Sequence, residues 1–209
     1  MTKQEIFEKN KKILSKYIPV NAVEKVCHLI FQYDFKLIIT GNRKSKWGDF
    51  KIHPTSNLPI ITVNVTLNPY AFLITLIHEI AHCKTHREYG HKVEAHGKEW
   101  KKNFQLLMKD FLNTDIFPVD VFYVLKNHME NPSASANADV KLYKVLMNYD
   151  QNSENICLIE YLKDGDKFEY EHQIYQRLSK RRKKIECLHL KNGKKYLFSP
   201  IAEVKPIIE

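Results

Sequence analysis

The sequence predicts an α+β chain in two parts: a helical domain built around a short β-sheet, then a small antiparallel β-module. Three observations predict it. The first 130 residues mix apolar positions at helical spacing with short runs of β-formers. A small, polar stretch, ENPSASANAD at 130–139, then interrupts the pattern. From Ile156 onward, β-formers alternate with turns such as KDGD and KNGK, which suits about five short strands, barrel-like in arrangement. The expected organisation is a domain over 1–130, a linker over 131–155 and a module over 156–209.

The elements follow in order. Residues 2–17 place Ile6, Ile13, Leu14 and Tyr17 at helical spacing, and 21–32 do the same with Val23, Val26, Cys27, Leu29, Ile30 and Phe31. FKLIIT at 35–40 is a strand, GNRKSKWGDF a basic turn, Phe50 to His53 a second strand and PIITVNVTLN at 59–68 a third. Asn68-Pro69 starts a helix, because Asn caps and Pro suits the first helical position. AFLITLIHEIAHCKTH is apolar on three sides, as a buried central helix must be. Residues 87–96 are polar and contain Gly90, so a loop is expected. A further helix from Gly97 to Leu112 carries Trp100, Phe104, Leu107, Met108 and Phe111 on one stripe. A short helix is expected at 119–128, and a helix or strand near 140–148.

Composition bounds the function. Hydrophobic residues at 44% and charged residues at 27% allow a packed core. No run of about 18 apolar residues exists, so no membrane span is expected. The charged N-terminus lacks the apolar stretch of a secretory signal, and a cytoplasmic location is expected. Cys27, Cys83, Cys157 and Cys187 are scattered, with no CxxC pair for a cysteine zinc site or a dithiol redox site. A net charge of +9 favours polyanionic partners.

His78-Glu79-Ile80-Ala81-His82 is an HExxH on the central helix. Residues four apart share a helical face, so both imidazoles can reach one Zn²⁺ at about 2.1 Å. Glu79 is then placed to take the proton of a water attacking a carbonyl. Two His and a Glu inside an apolar helix also argue for a ligand role, because buried ionisable groups are costly unless paired or ligating.

A catalytic zinc needs a third protein ligand and one open position. The metzincin spacing would need Gly and His where Thr85 and Glu88 stand, which excludes that class. His86 lies one further turn, roughly 6 Å, along the axis and suits the same ion poorly. The candidates are His91, Glu94, His96 and Glu99. His96 is favoured, because Gly97 permits a close bend that returns it to the metal ahead of the next helix. Arg87 and Tyr89 are the candidates for stabilising developing charge, against a plain surface role.

HEIAH, a short polar loop, then His96-Gly97-Lys98-Glu99-Trp100 resembles the SprT-like metallopeptidases, which include the Spartan-type DNA–protein crosslink proteases. The segment from Asn42 to Gly48 and Asn68-Pro69 is similar to that family's upstream region. The resemblance covers roughly residues 5–115. It implies a small zincin-like domain, one catalytic Zn²⁺ on His78, His82 and His96, Glu79 as general base, and a protein substrate bound or crosslinked to DNA. The chain departs from many bacterial relatives downstream. Where their zinc ribbon has two CxxC pairs, Cys187 stands alone and Leu190 holds the partner position. The module thus reads as a degenerate ribbon without metal.

Residues 172–198 hold nine basic residues and one acidic one, Glu186. Arg177, Lys180, Arg181, Arg182, Lys183 and Lys184 are the candidate nucleic-acid contacts, with Tyr175, Tyr196 and Phe198 interleaved for stacking. The plain alternative is a solvated hairpin whose aromatics fill a core. Three functions follow: a zinc endopeptidase working near DNA, a nucleic-acid-binding protein with a structural or inactive zinc, and a zinc hydrolase of small amides.

Overall fold

The structure, a computed structural model, describes residues 2–41, 46–134, 139–150 and 156–207. The chain is α+β and divides into two compact units, Met1–Asp150 and Gln151–Glu209.

The first unit opens with α1 (Lys3–Leu14) and α2 (Val20–Tyr33). A capping box fixes the start of α1: Thr2 Oγ1 accepts from the Glu5 backbone N–H, and the Glu5 carboxylate accepts from that of Thr2. Strands β1 (Lys36–Thr40), β2 (Gly48–Ile52) and β3 (Pro59–Asn64) form a mixed sheet in the order β1-β3-β2. β3 is buried along its whole length, parallel to β1 and antiparallel to β2. β2 is therefore an edge strand. Of the basic turn before it, residues 42–45 lie outside the described residues.

The central helix, α3 (Pro69–Tyr89), starts where the Asn68 side chain accepts from the N–H groups of Tyr70 and Ala71. Phe72, Leu73, Ile74, Leu76, Ile77, Ile80 and Ala81 are all buried. Each large aliphatic or aromatic side chain among them contributes about 1.5–3 kcal/mol by leaving water. α3 packs on β2, β3 and α4 (Lys98–Met108). It runs to Tyr89, past the expected loop start at 87, since Lys84 and Glu88 pair one turn apart on its last stretch.

α5 (Val119–His128) and α6 (Val140–Met147) complete the unit. The unit therefore runs past the boundary expected at 130. Leu142 and Leu146 join the common core, and Asn68 Nδ2 donates to Leu146 O at 2.8 Å and Asp150 Oδ1 at 2.7 Å. Within the expected linker, residues 135–138 and 151–155 lie outside the described residues.

The second unit is an antiparallel sheet of six strands rather than five. These are β4 (Cys157–Leu158), β5 (Lys167–Tyr170), β6 (Gln173–Arg181), β7 (Lys184–His189), β8 (Lys195–Phe198) and β9 (Glu203–Pro206), in the order β4-β9-β5-β6-β7-β8. It has its own core of Ile159, Phe168, Tyr175, Ile185, Cys187 and Val204. Among the described residues, no helix is long and apolar enough to cross a membrane.

Candidate metal centre

Helical geometry brings His78 and His82 to one face of α3, and the bend before α4 delivers His96 to the same point. The three Nε2 atoms stand 3.2 Å (His78–His82), 3.0 Å (His82–His96) and 3.3 Å (His78–His96) apart. Three nitrogens sharing a tetrahedral ion at about 2.1 Å would be about 3.4 Å apart, so the cluster fits such an ion. Among the described residues it is the one group of three potential ligands whose donor atoms lie within 4.8 Å of one another.

Packing holds the imidazoles in place. Trp100, fully buried on α4, stacks on His82 at 5.3 Å between ring centroids and meets His78 at 4.6 Å and His96 at 4.7 Å. Phe50 of β2 lies parallel to His82 at 6.3 Å. Asn103 Nδ2 locks α4 to α3, donating to Thr85 Oγ1 at 3.0 Å and Glu88 Oε2 at 2.8 Å. These contacts keep the loop between the helices on a fixed path to His96.

The electrostatics suit a cation. Burial, then the nearby His82, His96 and His128, hold the His78 imidazole well below its ordinary pKa. Burial and His96 push His82 down to about 4, against the opposing pull of Asp49. Burial lowers His96 as well. All three rings are thus favoured as neutral ligands at neutral pH.

The cluster lines a cavity of about 470 Å³, whose walls include Lys46, Asp49, Phe50, Glu79 and His128. Glu79 is buried, and the backbone of Gly48 passes close beside its carboxylate. Of the two glycines near the site, Gly48 makes the tighter approach. Gly97, given that role from the sequence, has a negative φ, and its neighbours are atoms of its own turn, Glu94 and Glu99.

The remaining candidates stay apart from the cluster. His86 and His91 pair with each other at 4.8 Å, Glu99 meets Lys98 at 3.9 Å, and Glu94 belongs to an adjoining hollow. Arg87 donates to the Tyr33 carbonyl at 2.7 Å, a structural role, and Tyr89 is exposed. Sequence reasoning passed over His128. Its partner Asp139 is eleven residues away, and only the packing of α5 brings it to the cavity.

In the second unit, Lys180, Arg181, Arg182, Lys183 and Lys184 are exposed around the β6–β7 turn. Arg177 does not share that surface. It is buried and paired with Asp164, because its strand position points inward with Tyr175. Tyr175 is likewise buried, packed edge-on to His189, Tyr196 and Phe198. Cys187 is buried, with its thiol pushed up to about 11 by burial, as a core residue.

Comparison of the chain with models of known families, with curated proteins and with solved structures returns no match in any of the three.

Proposed function

We propose that the chain is a zinc-dependent endopeptidase of the SprT-like kind, with a zincin-like first unit, acting on proteins bound or crosslinked to DNA. The observation that carries the reading is the meeting of His78, His82 and His96 beside the buried carboxylate of Glu79, at the wall of an open cavity. An ion held there supplies Lewis acidity to a water and to the scissile carbonyl. The three imidazoles provide neutral nitrogen ligands, and Trp100 fixes their orientation. Glu79 accepts the proton of the attacking water and returns it to the leaving nitrogen. The HExxH helix packed on a small mixed sheet supports the zincin-like part of the reading.

The exposed cluster from Lys180 to Lys184 supports the link to nucleic acid, since clustered cations bind phosphates with release of counterions. The proposed compartment is the cytoplasm, in keeping with four free thiols. The competing reading is a nucleic-acid-binding protein with a structural ion. A closed structural site needs four protein ligands, whereas three meet among the described residues.

Metal analysis and casein cleavage, with and without DNA, test the proposal against Glu79→Gln. Zinc-dependent cleavage is expected, with the variant slower by ~10²–10⁴ and still holding zinc. Equal cleavage by the variant would remove Glu79 from the mechanism. DNA binding without any cleavage would favour the competing reading.

A further inference from the structure

His128 sits at the end of α5 with its side chain 3% exposed. Its Nδ1 lies 2.9 Å from Asp139 Oδ2. The other oxygen of Asp139, Oδ1, caps α6 by accepting from the N–H groups of Lys141 and Leu142. Burial raises the Asp139 pKa, but the His128 bond and these backbone donors outweigh it and keep the carboxylate ionised at neutral pH. An ionised carboxylate has no hydrogen to give. The hydrogen between the two side chains therefore belongs to His128 Nδ1, and the neutral ring carries its lone pair on Nε2.

That lone pair has no partner among the described residues, yet Nε2 is not one of the buried polar atoms sealed from solvent. The residue lines the same cavity as His78 and Glu79, and with the side chain almost wholly enclosed, that cavity is where Nε2 is reached. Buried polar nitrogens are ordinarily hydrogen-bonded, so this one calls for a donor from outside the protein. Among the described residues, the atoms that gather for a metal ion do not include it. A peptide stretched across the cavity offers the donors, one backbone N–H for each residue other than proline. The carboxylates of the cavity are engaged otherwise: Asp49 accepts from Lys46 at 2.9 Å, and Glu79 is committed to the attacking water in the proposed reaction.

We infer that His128 Nε2 accepts a hydrogen bond from a backbone N–H of the bound peptide, and that Asp139 holds the ring in the tautomer able to accept it. The inference deepens the peptidase reading and rests on it. His128 is a substrate-binding residue, and Asp139 is a positioning residue that acts through it. The capping bonds make the role of Asp139 specific. In Asp139→Asn the one remaining oxygen stays with the N–H groups of Lys141 and Leu142. The new NH2 then faces His128 Nδ1 and donates to it, so the hydrogen of the neutral ring moves to Nε2. An acceptor becomes a donor, aimed at another donor, with hardly a change of shape.

The test uses a short fluorescent casein peptide and a set of analogues, each with one backbone N–H replaced by an ester oxygen, which cannot donate. Affinities are measured at about pH 7.5, above the ordinary imidazole pKa of about 6.5. The parent is the zinc-loaded protein carrying Glu79→Gln, which keeps turnover from intruding. His128→Phe and Asp139→Asn are each added to it, with zinc content and melting temperature recorded. Cleavage of the same peptide is followed with Glu79 intact. Both variants should keep zinc and bind the peptide about tenfold or more weakly than the parent does. One ester analogue should bind the parent weakly by a similar factor, and on that analogue His128→Phe should cost nothing further. Undiminished peptide binding, or an equal loss on the peptide and every analogue, would overturn the inference, because a merely structural change moves amide and ester alike. Should His128→Phe lose zinc or unfold, Asp139→Asn decides by the same comparison. The expected pattern without any cleavage sinks the peptidase reading and leaves His128 a peptide contact. Cleavage without the pattern sinks the inference alone, and a parent that binds no peptide sinks both.

Discussion

Glu79 Oε1 stands 2.7 Å from the point where a β-carbon on Gly48 would lie, and Thr75 Cγ2 is equally close. β2 and α3 therefore approach more closely at the site than any side chain on Gly48 would allow. Gly48→Ala should push the Glu79 carboxylate aside, since it is the more mobile of the two neighbours. A displacement of about 1 Å at a reacting group costs on the order of 10² in rate. Zinc content should remain at the wild-type level, because the imidazoles are held from the α4 side. Wild-type kcat in Gly48→Ala would show that Glu79 tolerates the shift.

His96→Ala and His86→Ala separate the ligand from its neighbour. Both histidines follow the HExxH, but only His96 completes the cluster, while His86 rests against Phe50 and His91. Zinc affinity, measured by competition with a chromogenic chelator, should fall by more than the ~10–100-fold typical of supporting residues in His96→Ala. His86→Ala should hold zinc as wild type does. The reverse result would relocate the third ligand.

The metal-free protein should lose stability as pH falls. His78, His82 and His96 have folded-state pKa values lowered by burial, so the unfolded chain binds more protons in acid. Their contribution is complete above the ordinary histidine value of about 6.5 and is lost as pH drops toward the folded values. For His82 that window runs down to about 4. The slope reaches about 1.4 kcal/mol per pH unit for each proton taken up. Chelator-treated protein, melted at a series of pH values, should show this decline. A melting temperature flat across the window would mean the rings are not buried as neutral groups.

Replacing Arg181, Arg182, Lys183 and Lys184 with Ser should weaken binding to labelled single- and double-stranded DNA and flatten its dependence on salt. Zinc content should not change, because the ligands lie in the other unit. Arg177→Ala should instead destabilise the module by about 0.5–3 kcal/mol, through the lost packing and the broken pair with Asp164. Equal binding by wild type and the fourfold variant would leave the cluster a solvated surface.

What the residues alone reveal tracks how local each feature is. The α3 helix, its cap and the His78–His82 pair follow from spacing within one turn of helix. His96 could be favoured only because it borders a helix start, and His91 and Glu94 in the loop and Glu99 just beyond it were also candidates. Arg177 looked like its basic neighbours because charge is visible in a sequence and strand phase across a β-bulge is not. α6 was legible as an element but not as part of the first core, since Asn68 reaches it across 78 residues. Gly48 read as a turn glycine, and His128 as an ordinary helix residue. Each is placed by a neighbour outside its own turn, α3 for Gly48 and Asp139 for His128.

The buried thiols make the two units separately observable. Cys27 and Cys83 lie in the first core, and Cys187 in the second, all fully enclosed. Burial holds Cys83 and Cys187 at about 11, so neither carries reactive thiolate while folded. An alkylating reagent can reach these sulfurs only when the surrounding core opens. The labelling rate at each cysteine, read by peptide mass, is then a local opening free energy in disguise. Cys83 reports on the helix that carries the histidines, and Cys187 on the basic module. Adding zinc should slow the first clock and leave the second running as before.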